Sequence, residues 1–327
     1  MDQPIQNKEC CMEKPNRKLK PIRVKLIFNP IAGSNDESPI QLMTIIKEMQ
    51  VWGLVPETFL IEAGCDLVKV VQGAIEQGIK LIVVCGGDGT IESVARAMIG
   101  TQTVLGIIPG GTANNVALSL GIPTDIPTAI RLLRKGKRNK IDIGIATCGS
   151  TSTPFIEVCS VGLFSTLYSS GDDIQHGNIG KIGDFLATFI TTQPSSIHFT
   201  LDNNKEVQKL GHVVLITNMP YVGRHYQLGN PDCYKDGYLD VMFFANLTKL
   251  DIIGYVIKGT GPNVEEDPRI QHFHVKKITI ETDPPMPIMV DGVSLGDGSL
   301  HIEIQKHALN VIVGEPEVKD VSEKVND

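Results

Sequence analysis

Hydrophobic positions along this chain follow two rhythms, and the change falls near residue 146. In the first stretch, short apolar runs at 22–28, 55–61, 80–84, 104–108 and 140–145 read as strands. Between them, segments 39–49, 66–76, 91–98, 113–120 and 126–134 repeat apolar residues every three or four positions, the helical period. Trp52-Gly53 and Gln77-Gly78 supply helix stops at sensible places. Strands and helices alternating at this spacing predict βαβ units and a parallel sheet. Beyond a polar loop at 147–153, TCGSTST, the pattern turns strand-rich. Runs at 155–161, 196–201, 208–218, 238–244, 273–282, 287–290, 300–305 and 309–313 read as strands, with helical insertions at 182–190 and 249–257. Asp202-Asn203-Asn204-Lys205 reads as a hairpin turn, because Asn tolerates positive φ. The expected organisation is a tail at 1–21, an α/β domain over 22–145, an antiparallel β-rich domain over 146–314 and a charged tail at 315–327. A cleft between two such domains is the usual place for an active site.

Composition narrows the partners. The 327 residues fit two domains, and 42% hydrophobic content leaves ample material for their cores. A net charge of -7 offers no basic field for nucleic acid. No apolar run reaches the length of a membrane span, and the first 20 residues carry no signal-peptide core, so a cytoplasmic location is expected. Seven cysteines, an odd number with no CxxC spacing, argue against a zinc site. Cys85 and Cys159 sit in apolar runs and read as core residues.

The chemistry concentrates at LIVVCGGDGT, residues 81–90. An apolar strand enters Gly86, Gly87, Asp88, Gly89 and Thr90, and a helical pattern follows. Such a turn gathers backbone N–H groups and a helix N-terminus at one point, which suits phosphate. Glycines there let backbone approach a ligand closely. Asp88 is the odd member: a carboxylate repels phosphate unless it serves a metal or a proton transfer. The alternative is an ordinary turn in which Asp88 or Thr90 caps the helix. Two other strands end similarly, the first in Asn29, Pro30, Ile31, Ala32, Gly33 and Ser34, the other in Pro109, Gly110, Gly111, Thr112, Ala113, Asn114 and Asn115. In a parallel sheet these ends share one edge, where α/β ligand crevices form.

NPIAGS at 29–34, GGDGT at 86–90 followed by Glu92, and PGGTANNVALSLGIP at 109–123 together resemble the diacylglycerol kinase catalytic-domain superfamily. Within it the chain is most similar to the small bacterial lipid kinases, relatives of sphingosine and ceramide kinases. FIEVCSVG at 155–162, NMPYVG at 218–223, KDGYLDV at 235–241 and MVDG at 289–292 continue the series in the family's order. The resemblance spans about residues 22–313. It implies a Rossmann-like nucleotide domain, a β-sandwich lipid domain, and transfer of the ATP γ-phosphate to a lipid hydroxyl, diacylglycerol first among the candidates. It also implies magnesium as cofactor, a lipid partner at a membrane surface with transient membrane association, and leaves a homodimer open.

Carried over by position, the ATP phosphates would lie over Gly86, Gly87, Asp88, Gly89 and Thr90, flanked by Asn29, Gly110, Gly111 and Thr112. Thr112 can cap its helix and still face a phosphate. Asp236 and Asp240 resemble a magnesium site of the second domain; a plain β-turn at Asp236-Gly237 is the other reading. Asp291 resembles the aspartate that takes the acceptor hydroxyl's proton, with Asp88 as rival base. Two positions depart from the family: Asn115 stands where it often has Asp, and Val293 where it usually has Glu. The first removes a charge that organises the site, the second a carboxylate beside Asp291. They admit a catalytically weak nucleotide- or lipid-binding regulator as an alternative. NAD kinase, which shares GGDGT, is another, and the PGGTANN and MVDG segments speak against it. The basic run Arg131, Arg134, Lys135, Lys137, Arg138 and Lys140 reads as a helix end complementing its dipole or a contact for anionic membrane.

Overall fold

The computed structural model describes residues 19–32, 38–162, 193–202, 205–222, 226–227, 229–245 and 269–315. The helical insertions expected at 182–190 and 249–257, and Gly33 and Ser34 of the first motif, lie outside the described residues. Among the described residues, five strands and five helices make the first half: β1 (Ile22–Phe28), α1 (Ser38–Val51), β2 (Leu54–Leu60), α2 (Leu67–Glu76), β3 (Leu81–Gly86), α3 (Asp88–Met98), β4 (Val104–Pro109), α4 (Asn115–Ser119), α5 (Ile126–Lys135) and β5 (Lys137–Cys148). Strands β2, β1, β3 and β4 pair in parallel in that order. Every residue of β3 and β4 is buried, as a sheet covered by helices on both faces requires. One apolar layer gathers Val71, Ile91, Val94 and Met98 from α2 and α3. The opposite layer gathers Ile45, Met49, Ile130 and Leu133 from α1 and α5. Asp66 and Asp125 accept the N–H groups of Lys69 and Thr128 and cap α2 and α5. Arg134 and Lys135 fall in the last turn of α5, the place where cations complement a helix dipole.

The second half is antiparallel: β6 (Thr151–Phe155), β7 (Val158–Gly162), β8 (Ser195–Leu201), β9 (Lys205–Thr217), β10 (Tyr221–Val222), β11 (Tyr226–Gln227), β12 (Leu239–Ala245), β13 (Ile270–Val275), β14 (Lys277–Asp283), β15 (Pro287–Val290), β16 (Val293–Asp297) and β17 (Leu300–Val313). Its core packs Phe155, Phe199, Phe243, Ile216 and Ile280. Alternate burial along β8 is the pattern of a sheet with one face on the core.

Four local outcomes differ from the sequence expectation, each for a visible reason. The polar loop at 147–153 is the β5–β6 hairpin, with Thr147 paired to Ser152; its Thr and Ser side chains suit an exposed strand. The run at 155–161 breaks at Ile156 and Glu157, whose N–H groups turn to the Asp291 carboxylate. The run at 273–282 divides at Lys276, where Asp202 accepts the N–H groups of both Lys276 and Lys277. Segments 300–305 and 309–313 form one strand, β17, interrupted by a bulge. There His307 sits at φ 53 and donates its N–H to Asp142 at 2.7 Å.

Strand β17 joins the halves. Its first part pairs with β14 and its last part pairs in parallel with β4, while β5 runs antiparallel along most of its length. The sheet is therefore continuous from β2 to β16. Leu309, Val311 and Val313 of β17 enter the apolar layer beneath α2 and α3.

Candidate active site

Parallel strands β1, β3 and β4 end on one edge, so Asn29, the 86–90 turn and the 110–112 turn come together there. The Asn29 amide donates to Thr90 Oγ1 at 2.9 Å, and its own Oδ1 accepts the Ile31 N–H at 3.1 Å. The two glycine pairs face each other backbone to backbone. Gly110 N–H donates to Gly86 O at 3.0 Å. A Cβ on Gly111 would lie 2.5 Å from Gly87 Cα, a separation that real Cβ atoms do not tolerate. Only glycine lets these turns touch. A Cβ on Gly89 would meet nothing within 4 Å, so that side of the turn faces open space.

Gly87 occupies the N-cap of α3 and no side chain caps that end. The capping alternative for Asp88 and Thr90 is thus not what the structure shows. Asp88 instead reaches across to α4, where Val116 N–H donates to Asp88 Oδ1 at 3.1 Å. Partial burial pushes the Asp88 carboxyl above its ordinary value, against the pull of backbone N–H donors from residues 114–116. As a residue Asp88 is half-buried, where Asp291 is buried. Thr112 lies exposed in its turn, and the N-cap of α4 is Asn114 rather than Thr112. Asn114, in the left-handed region at φ 54, ties the turn by accepting from Gly111 N–H and donating to Gly111 O.

Asp291 has a different environment. It sits between β15 and β16 at φ 42, and its side chain is 0% exposed. The carboxylate accepts N–H groups from Ile156 at 2.8 Å, Glu157 at 3.1 Å and Val158 at 2.9 Å. Arg96 of α3 adds a contact at 3.3 Å and also donates to Pro154 O. Burial lifts the Asp291 carboxyl, opposed by those N–H groups and by Arg96. In this arrangement the carboxylate offers no open face to a substrate hydroxyl.

Two acids that the sequence reading did not rank complete the surroundings. Glu92, one turn beyond Asp88 on α3, is buried beside Arg96. Burial and the nearby charges of Asp291 and Glu157 hold its carboxyl well above the usual range. Glu157 is fully buried and accepts from the Asn115 amide at 2.8 Å. Sequence offers one signal for them, acidic residues inside otherwise apolar segments, IESVARAM and FIEVCSVG.

Asp236 and Asp240 come together, but around a histidine. His274 Nδ1 is 3.0 Å from Asp240 Oδ1, and His274 Nε2 is 3.6 Å from Asp236 Oδ2. Tyr238 stacks on the imidazole at 4.3 Å. Among the described residues no group of three or more His, Cys, Asp or Glu side chains is arranged to hold a metal ion.

The described residues form a parallel sheet with glycine turns at one edge, continued into an antiparallel β unit. Residues 23–146 match the family described as the diacylglycerol kinase catalytic domain. Residues 182–313 match the YegS C-terminal NAD kinase β-sandwich-like domain. The chain belongs to the diacylglycerol kinase catalytic-domain superfamily, in its small lipid-kinase branch. It is 25% identical to the uncharacterized protein sll0036 of Synechocystis, over 88% of this chain and 69% of that protein. It is 23% identical to a diacylglycerol kinase of Staphylococcus saprophyticus, over 83% of this chain and 88% of that one. The structure of a diacylglycerol kinase from Bacillus anthracis Sterne superposes with a TM-score of 0.69 at 23% identity, covering 91% of this chain and 98% of that one. That last likeness is one of fold.

Proposed function

We propose that this lipid kinase transfers the γ-phosphate of ATP to the hydroxyl of diacylglycerol, giving phosphatidic acid. The observation that carries the reading is the pair of glycine turns pressed together at 86–87 and 110–111, with the uncapped start of α3 and a half-buried Asp88 beside them. Phosphoryl transfer asks mainly for positioning and charge neutralisation, which backbone N–H groups and a helix start supply. Names among the relatives support the lipid class, and the diacylglycerol kinase names support that acceptor.

The roles follow from exposure. Gly86, Gly87, Gly89, Gly110 and Gly111 let the nucleotide phosphates approach backbone. The Asn29–Thr90 pair and Thr112 border them. Asp88 accepts the proton of the acceptor hydroxyl, since it combines a raised pKa with incomplete burial. Asp291, named with it from the sequence, acts as a positioning residue, because its carboxylate is enclosed by donors. Magnesium, when bound with ATP, neutralises phosphate charge; an ion of that kind accepts a single carboxylate with phosphate oxygens and water. Asp236 and Asp240 suit that chemistry less well, because His274 lies between them. The halves divide the work, with 22–145 holding nucleotide and 146–314 holding lipid. A diacyl substrate resides in bilayers, so the enzyme visits a membrane surface; no described helix is long and apolar enough to cross one.

The test is labelled ATP and magnesium with separate mixed micelles of diacylglycerol, sphingosine and ceramide, NAD in a parallel arm, and Asp88→Asn throughout. Labelled phosphatidic acid from the unmutated protein alone is expected. Label in another lipid replaces the acceptor, label in NAD overturns the lipid reading, and nucleotide binding with no transfer moves the protein to a regulatory role.

A further inference from the structure

Helix α4 has only five residues, too few to hold itself in water. Its position must come from its contacts, and that position matters because its Val116 N–H holds Asp88 Oδ1. The first residue of α4, Asn115, is buried and donates through its amide to Glu157 Oε1 at 2.8 Å. Glu157 is in turn fixed at both backbone groups. Its N–H donates to Asp291 Oδ1 at 3.1 Å, and its carbonyl accepts from Asn218 N–H at 3.1 Å. A continuous path of hydrogen bonds therefore runs from the β15–β16 turn to the carboxylate of Asp88. Its members lie far apart in sequence: Asp291, Glu157, Asn115 with α4, then Asp88.

We propose that Glu157 is a positioning residue of the kinase: it fixes the start of α4 through Asn115, and α4 orients Asp88. The inference rests on the reading above that Asp88 meets the acceptor hydroxyl.

A buried acid is a costly way to fill space, and an apolar side chain would pack as well. Here the acid is matched to a directional donor, and a charge-assisted hydrogen bond is shorter and stronger than a neutral one. Arg96 lies by Asp291 and Glu92, and the Asn115 amide donates to the Glu157 carboxylate. Asn115 is the position where the resembled family often has Asp.

A charge exchange tests this. Glu157→Gln, Asn115→Asp and the double variant Asn115→Asp/Glu157→Gln are measured for kcat, for KM of ATP and of lipid, and for amide hydrogen exchange over residues 114–118. The first single variant removes the charge and the second sets two carboxylates against each other. Each should lower kcat by about ten- to a hundred-fold, the scale of one charge-assisted hydrogen bond. Each should leave KM for ATP within about three-fold and speed exchange at Val116, since the nucleotide turn is untouched. The double variant, with the amide and carboxylate exchanged, should regain most of kcat and of the Val116 protection. Unchanged kcat and exchange in Glu157→Gln, or a double variant no better than the worse single, overturns the proposal. Should Asn115→Asp fail to fold, Glu157→Gln and the double variant decide. If the unmutated protein phosphorylates no lipid, the functional reading fails, and exchange at Val116 still decides whether Glu157 positions α4.

Discussion

Two aspartates, each followed by glycine in a tight turn, have opposite surroundings in this protein. Asp88, the first residue of α3, receives N–H groups from the start of α4 and is half-buried. Asp291 in the turn before β16 receives three N–H groups and an arginine and is buried. Both match family motifs, and the motifs alone do not separate them. What separates them is burial, since both carboxylates hold several backbone N–H groups: the Asp291 side chain is wholly enclosed and Asp88 is half-buried. On the function proposed above, one turn serves the chemistry and the other the joint between the halves.

The largest way to sharpen this contrast is Asp88→Asn. It should cut kcat by about 10²–10⁴-fold, the usual worth of a general base, while the thermal midpoint stays near that of the unmutated protein. Steady-state kinetics beside thermal melting read both. Asp291→Asn should reverse the balance. Removing one partner of a buried ion pair destabilises by about 3–5 kcal/mol, so the melting temperature should fall by roughly 10 °C. A stable Asp291→Asn protein with activity as low as Asp88→Asn would return Asp291 to the chemistry. Smaller is the effect of Gly111→Ala. Its Cβ meets the Gly87 backbone, and ATP affinity should drop by about ten-fold as the turns separate, measured by calorimetry.

The smallest effect is one of pH. Folded Glu92 keeps its proton to a higher pH than the unfolded chain, whose glutamates release theirs near 4.5. The folded state therefore binds more protons, and stability falls as pH rises from that value through the raised one. Glu92→Gln removes this loss. Its melting temperature should gain on the unmutated protein as pH rises above the ordinary glutamate range; a difference that stays constant with pH would show that Glu92 is ionised throughout.

Sequence carried the first half well because its signals are local. Strands β3 and β4 are unbroken apolar runs, and the glycines that press together at 87 and 111 lie inside recognisable strand ends. The second half was legible as strands but not in its breaks. Strand breaks at Ile156 and Lys276 are made by carboxylates from Asp291 and Asp202, 135 and 74 positions away. The enclosure of Asp291 was hidden for the same reason: its donors come from 133 to 195 residues upstream. Glu157 and Glu92 were passed over because a lone acid in an apolar run gains meaning only once its partner is known. His274 is about half exposed, and no spacing in the sequence announces that its ring bridges two aspartates.

Strand β17 has a consequence for how the molecule is made. The strand that lies against β4 consists of residues near 310, although β4 itself ends at Pro109. A ribosome must therefore synthesise about two hundred further residues before the parallel sheet can acquire its last neighbour. Until then the edge of β4 stays unpaired on the nascent chain, a wait that favours early chaperone capture. For the same reason, a fragment ending after the β5–β6 hairpin would be an unfinished sheet with an adhesive edge.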